Sequence, residues 1–230
     1  RERDPLFKPG FLVSSAPLSG AVCLLRYEQG SSPEMIVWRK KQTAVRRWKL
    51  PGDAKYTCMA LSPNGDRIAV GAERSSGATA EFAVEIWDAS QESLIRRLPL
   101  GKAPGAVSFS PEGSTLIVVE ESGRVQMLDS RTWQSALLLE NDWHCSSRVA
   151  FSGDGTLVAI WLRRHEMVLT ASLSWIYVWR LAECKLVLSG GAPSTVTVLE
   201  FSRDNRHLLL AGGMPPRLGQ VDIWDLTRDR

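Results

Sequence analysis

Three histidines, His144, His165 and His207, are the first residues to test for metal or acid–base chemistry. None has a second histidine or a cysteine at the spacing of a zinc site. The four cysteines, Cys23, Cys58, Cys145 and Cys184, lie far apart with no C-x-x-C pair. Cys23 and Cys58 sit in apolar, strand-like runs, where a thiol behaves as a small hydrophobe. A disulfide framework would be denser, so the thiols are read as reduced and the location as cytoplasmic. No G-x-S-x-G elbow and no Walker-type phosphate loop occurs. Gly153-Asp154-Gly155 reads as a turn, and Glu120-Glu121 as a solvated strand end, not an acid–base pair. Trp38 and Trp48 among Arg39, Lys40, Lys41, Arg46, Arg47 and Lys49 mix bases and aromatics as single-strand binders do. The sequence predicts no enzyme, metal or cofactor, and no small-molecule substrate.

The elements that position these residues recur along the chain, and repeats are sought before single elements. One landmark occurs at Leu61-Ser62-Pro63-Asn64-Gly65, Phe109-Ser110-Pro111-Glu112-Gly113, Phe151-Ser152-Gly153-Asp154-Gly155 and Phe201-Ser202-Arg203-Asp204-Asn205. Its serines are spaced by 48, 42 and 50 residues. A second occurs at Val37-Trp38-Arg39, Ile86-Trp87-Asp88, Met127-Leu128-Asp129, Val178-Trp179-Arg180 and Ile223-Trp224-Asp225, stepping by 49, 41, 51 and 45.

Strands are expected between the landmarks. After each repeat serine come apolar triplets, Ile68-Ala69-Val70, Leu116-Ile117-Val118, Val158-Ala159-Ile160 and Leu208-Leu209-Leu210, which predict a strand covered on both faces. Before the second landmark the pattern alternates: Val84, Val125, Ile176 and Val221 point one way, and Glu85, Gln126, Tyr177 and Asp222 the other. Pro and Gly in the Ser-Pro-x-Gly segments are turn chemistry. Each repeat therefore reads as strand, tight turn, strand, variable connection, strand, then a fourth strand such as 93–100 or 134–140.

Phe-Ser-Pro-Glu-Gly at one landmark and Ile-Trp-Asp at the other resemble the WD-repeat family over roughly residues 11–226. The resemblance implies an all-β fold, a β-propeller of four-stranded antiparallel blades. About five blades are visible, over 11–50, 51–100, 101–141, 142–191 and 192–226. The family's Gly-His dipeptide is missing before every repeat serine, so its usual hydrogen-bonded tetrad is not expected. The landmark tryptophans are expected to pack between blades. Trp133, Trp143, Trp161 and Trp175 fall outside that position and are read as strand packing, unless exposure marks an interface. The last repeat lacks a fourth strand, which 5–13 could supply at the first blade's expense. A piece of a larger propeller is preferred to a closed five-bladed ring, with pairing of open edges between copies a third reading.

Composition agrees with a globular domain. The chain has 230 residues, 44% hydrophobic and 23% charged, long enough for a sizeable core. Twenty-eight Lys and Arg against 25 Asp and Glu leave +3, which makes nucleic acid an improbable partner. Apolar runs such as 157–162 fall far short of the roughly 18 residues of a membrane helix, so no membrane association is expected. The opening Arg1-Glu2-Arg3-Asp4 has no initiator Met and does not read as a secretory leader, which suggests a processed or excised form.

Function is sought in the connections between the second and third strands of each repeat, over 74–81, 163–170 and 213–218. The family resemblance puts these on one face, and per-repeat insertions on one face often mark the binding side. Arg and Met anchor interfaces, so Arg74, Arg163, Arg164, His165, Met167, Met214 and Arg217 are the candidate partner-binding residues. The expected function is a non-catalytic scaffold for protein partners. A regulatory or sensor propeller of a larger enzyme or signalling protein is the alternative, and an RNA-binding module the second alternative.

Overall fold

The structure, a computed structural model, describes residues 10–16, 18–27, 31–40, 44–77, 79–140, 145–164, 174–193, 195–213 and 219–227, without the side chains of Ser76, Cys145 and Ser146. It is all-β, with five antiparallel sheets. The first contains β1 (Gly10–Ala16), β2 (Ala21–Tyr27), β3 (Glu34–Arg39) and β4 (Arg46–Lys49). The second contains β5 (Ala54–Leu61), β6 (Arg67–Ser76), β7 (Thr79–Asp88) and β8 (Ser93–Leu100). Strands β9 (Pro104–Phe109), β10 (Thr115–Glu120), β11 (Val125–Asp129) and β12 (Ser135–Leu139) form the third. The fourth has β13 (Cys145–Phe151), β14 (Leu157–Arg164), β15 (Ser174–Arg180) and β16 (Lys185–Gly191). The last has three described strands, β17 (Val196–Phe201), β18 (His207–Gly212) and β19 (Gln220–Asp225). The chain forms two compact units, Arg1–Val107 and Ser108–Arg230.

The landmarks recur because each closes a turn. The repeat serine hydroxyls accept the N–H of the residue five further on, Arg67, Thr115, Leu157 and His207, at 2.9–3.0 Å. The turn's fourth residue has positive φ, which suits Gly65, Gly113 and Gly155, and Asn205 tolerates it as well. At the second landmark the aspartate caps the next turn: Asp88 accepts the N–H of Ser90 and Gln91, and Asp129 those of Arg131 and Thr132.

Sheet packs on sheet in a repeated way. In the first unit Cys23, Leu25, Met35 and Val37 of the first sheet meet Ile68, Val70 and Trp87 of the second. In the second unit Ala159, Ile176 and Val178 of the fourth sheet meet Leu208, Leu210 and Trp224 of the fifth. Met35 and Val37 hold the same repeat positions as Ile176 and Val178, and Trp87 the same as Trp224. At these two junctions the leading sheet presents a forward face, and the following sheet a rear face that carries the landmark tryptophan.

Four expectations change. Residues 10–16 pair with β2 in the first sheet, so that part of 5–13 is not spare for the last; residues 5–9 lie outside the described residues. The 74–81 segment is not a loose connection but the end of a hairpin, paired Arg74↔Glu81, Ser75↔Ala80 and Ser76↔Thr79. Glu85, expected to point outward, is buried, drawn in by Arg74 on the paired strand. Trp38 is 42% exposed where Trp87 is buried, because among the described residues of its unit no sheet lies against the rear face of the first as the first lies against that of the second.

Candidate functional site

In the first unit the β6–β7 hairpin carries Arg74 near its tip, paired with Glu81. The Arg74 Nη1 stands 2.7 Å from Glu85 Oε1, and its side chain is 15% exposed beside a fully buried carboxylate. Asp53 approaches from the other side at 3.4 Å. The Trp87 indole Nε1 donates to Glu85 Oε2 at 3.3 Å, so one carboxylate serves both. Tyr56 packs beneath, and burial, then the Glu85 charge, pushes its phenol well above the ordinary value. Arg74 is therefore held within the sheet, and the exposed tip is Ser75, Gly77, Thr79, Ala80 and Glu81. The Arg97–Glu81 pair, 3.0 Å, steadies one flank of that tip.

In the second unit the stems of two connections converge. Arg163 is the penultimate residue of β14, and its Nη1 donates to Thr195 Oγ1 at 3.2 Å. The hydroxyl of Ser174, first in β15, lies 2.7 Å from the carbonyls of both Ala192 and Pro193, sharing its one proton between them, and the Trp161 indole donates to the Pro193 carbonyl at 3.3 Å. The segment around Thr195 also meets the other stem. Gly212, last in β18, lies so close that a Cβ there would collide with the Thr195 carbonyl. The described ends of two connections, at Arg163 and at Gly212, therefore both meet Thr195. Trp175 is exposed beside this rim, Trp161 is buried and Trp133 is half-buried; Trp143 lies outside the described residues.

Of the sequence candidates, Arg163 and Arg164 stand on this rim, half-buried. His165, Met167, Met214 and Arg217 lie outside the described residues, on the two connections whose stems converge. Thr195 and Gly212 were not singled out by sequence. The one signal was a glycine pair, Gly212-Gly213, ending an apolar strand. The basic cluster divides. Arg39 donates to the Gly65 carbonyl at 2.8 Å and Arg46 to that of Ser90 at 2.7 Å, both bracing turns of the second sheet. Lys40, Arg47 and Lys49 are exposed, and Lys41 lies outside the described residues. Among the described residues no group of three His, Cys, Asp or Glu side chains is placed to hold a metal ion. No described helix is long and apolar enough to cross a membrane.

No protein-family profile matches the chain. Solved structures do resemble it. Kuenenia stuttgartiensis hydrazine synthase aligns with a TM-score of 0.63 at 15% identity, over 86% of this chain and 54% of that one. The β-propeller domain of Myceliophteria thermophila Cps50 (Swd1) aligns with a TM-score of 0.61 at 16% identity, over 88% of this chain and 66% of that one. This chain thus spans about half and about two thirds of their lengths. At such identities the likeness is one of fold, and with the five sheets it gives a β-propeller fold of about five blades.

Proposed function

We propose that the chain is a WD-repeat-like propeller acting as a non-catalytic platform for protein–protein assembly, with its partner held on the rim formed by the 163–173 and 213–218 connections. The observation that carries this is the shared pin at Thr195, which Arg163 and Gly212 both meet. Two connections scattered in sequence can then present Arg163, Arg164, His165, Met167, Met214 and Arg217 to one partner. Arg and Met at a rigid rim are suited to that use, since few anchors dominate protein–protein affinity. Arg74 belongs to the proposal through the hairpin tip it braces. A cytoplasmic location is part of the same reading, supported by the free thiols of Cys23 and Cys184.

Shortening both connections to tight turns within 165–173 and 214–218, outside the strands, tests this. Partner capture should fall at least roughly tenfold while the thermal midpoint stays in place, because the stems are retained. Capture unchanged by both deletions would place binding elsewhere. A second reading, a regulatory propeller within a larger enzyme or signalling protein, is favoured by the chain's spanning only part of the solved chains it resembles. Intact mass of the polypeptide from its source separates them: a mass far above 25.5 kDa supports the second.

A further inference from the structure

Val221 and Ile223 are 65% and 68% exposed, although Val84, Ile86, Ile176 and Val178, at the same repeat positions, are fully buried. Residue types are the same, so the difference lies in what covers them. Ile176 and Val178 belong to the forward face that packs on the next sheet. Val221 and Ile223 form the forward face of the last sheet, beside half-buried Leu209. A groove of about 570 Å³ lies there, lined by Leu209, Ile223 and Phe201 with Glu200, Arg203 and His207.

The opposite kind of face is open on the first sheet. Register places Phe11 with Arg26, Glu34 and Lys49, Val13 with Leu24, Ile36 and Arg47, and Ser15 with Val22 and Trp38. This is a rear face. Phe11, Val13, Val22 and Trp38 are all exposed on it, an apolar patch of the kind that marks an interaction site. Arg26 and Glu34 neutralise each other at 2.6 Å, which leaves Arg47 and Lys49 as its exposed cations. On the forward face exposed Glu200 supplies the opposite charge next to Leu209 and Ile223, with Arg203 at the margin of the groove.

We infer that these two faces join copies of the chain head to tail: the forward face of the last sheet of one copy takes the rear face of the first sheet of the next. The occupant is a second copy because the chain already makes this junction internally, forward face on rear face, between its first and second sheets and between its fourth and fifth. Trp38 then enters the interface that Trp87 and Trp224 occupy inside the chain. Such an interface is heterologous, and it propagates unless the rotation closes it.

Sedimentation of the full chain from low to high micromolar concentration tests this. Wild type should grow in multiples of 25.5 kDa as concentration rises. Ile223→Glu and Trp38→Glu change exposed positions on opposite faces, and circular dichroism checks that each remains folded. Each alone should weaken association at least roughly tenfold and stay monomeric. Mixed, they should form a one-to-one complex of twice the monomer mass and nothing larger, since each keeps the face the other lacks. Wild type that is monomeric throughout overturns the inference, as does a mixture that fails to pair. A monomeric wild type that binds a single-stranded oligonucleotide through Trp38, Arg47 and Lys49 overturns it in favour of a nucleic-acid surface.

Discussion

Replacing Glu85 by Gln removes a charge and little volume from the first unit. The buried carboxylate faces Arg74 at 2.7 Å, and that guanidinium is 15% exposed with Asp53 as a second neighbour at 3.4 Å. Breaking a fully buried pair costs roughly 3–5 kcal/mol because the surviving charge stays desolvated. Partial exposure and Asp53 compensate some of that, which leaves about 2 kcal/mol for Glu85→Gln. Glutamine keeps an acceptor for the Trp87 indole. Glu85→Leu loses that as well, at a further ~1 kcal/mol. Urea unfolding at neutral pH, followed by tryptophan fluorescence and far-ultraviolet circular dichroism, reads both. The pair Arg74→Met and Glu85→Leu should cost less together than the sum of the two alone, with a coupling of about 1–2 kcal/mol. A Glu85→Gln cost under about 0.5 kcal/mol, or strict additivity in the double variant, would refute the buried ion pair as the anchor of the hairpin.

Other consequences are simpler to test. Ser152 first, then Thr156, donates to Asp154 and holds its carboxyl below the ordinary value. A folded state that binds this proton less readily than the unfolded one gains stability above the unfolded pKa and loses it as pH falls through the folded one, so Asp154→Asn should flatten stability against pH below about 4. Burial pushes the Cys23 thiol up to about 12, while Cys184 is exposed; native alkylation read by mass spectrometry should label Cys184 first and Cys23 only on unfolding, and equal rates would contradict the packing. Gly212→Ala forces a methyl into the Thr195 carbonyl. It should lower stability by roughly 1–3 kcal/mol and weaken partner capture with it; an unperturbed midpoint would mean the close approach is not maintained.

What the sequence discloses and what it hides divide along a physical line. The turns between the first two strands of each later repeat, and the strands beside them, were legible because a serine hydroxyl, a capping aspartate and an apolar triplet act within a few residues. Glu85 was read as solvent-facing, since alternation knows nothing of Arg74 across the hairpin. Trp38 looked like every other landmark tryptophan, yet its burial depends on a neighbouring sheet and not on its own strand. Gly10–Ala16 was harder still, because the serine landmark that opens the corresponding turn in the later repeats is absent between β1 and β2. Arg163 was singled out by residue type and position, whereas Thr195 was invisible in the sequence: its contacts arise from a carbonyl and a hydroxyl that meet two strand ends remote in sequence.

The most direct test of the platform account is quantitative affinity capture with the intact chain, compared with variants shortened within 165–173, within 214–218, and in both. The account predicts a common partner set that weakens with either deletion and disappears with both, at unchanged thermal midpoint. Capture that survives the double deletion, or that is lost only when the fold melts, would contradict it.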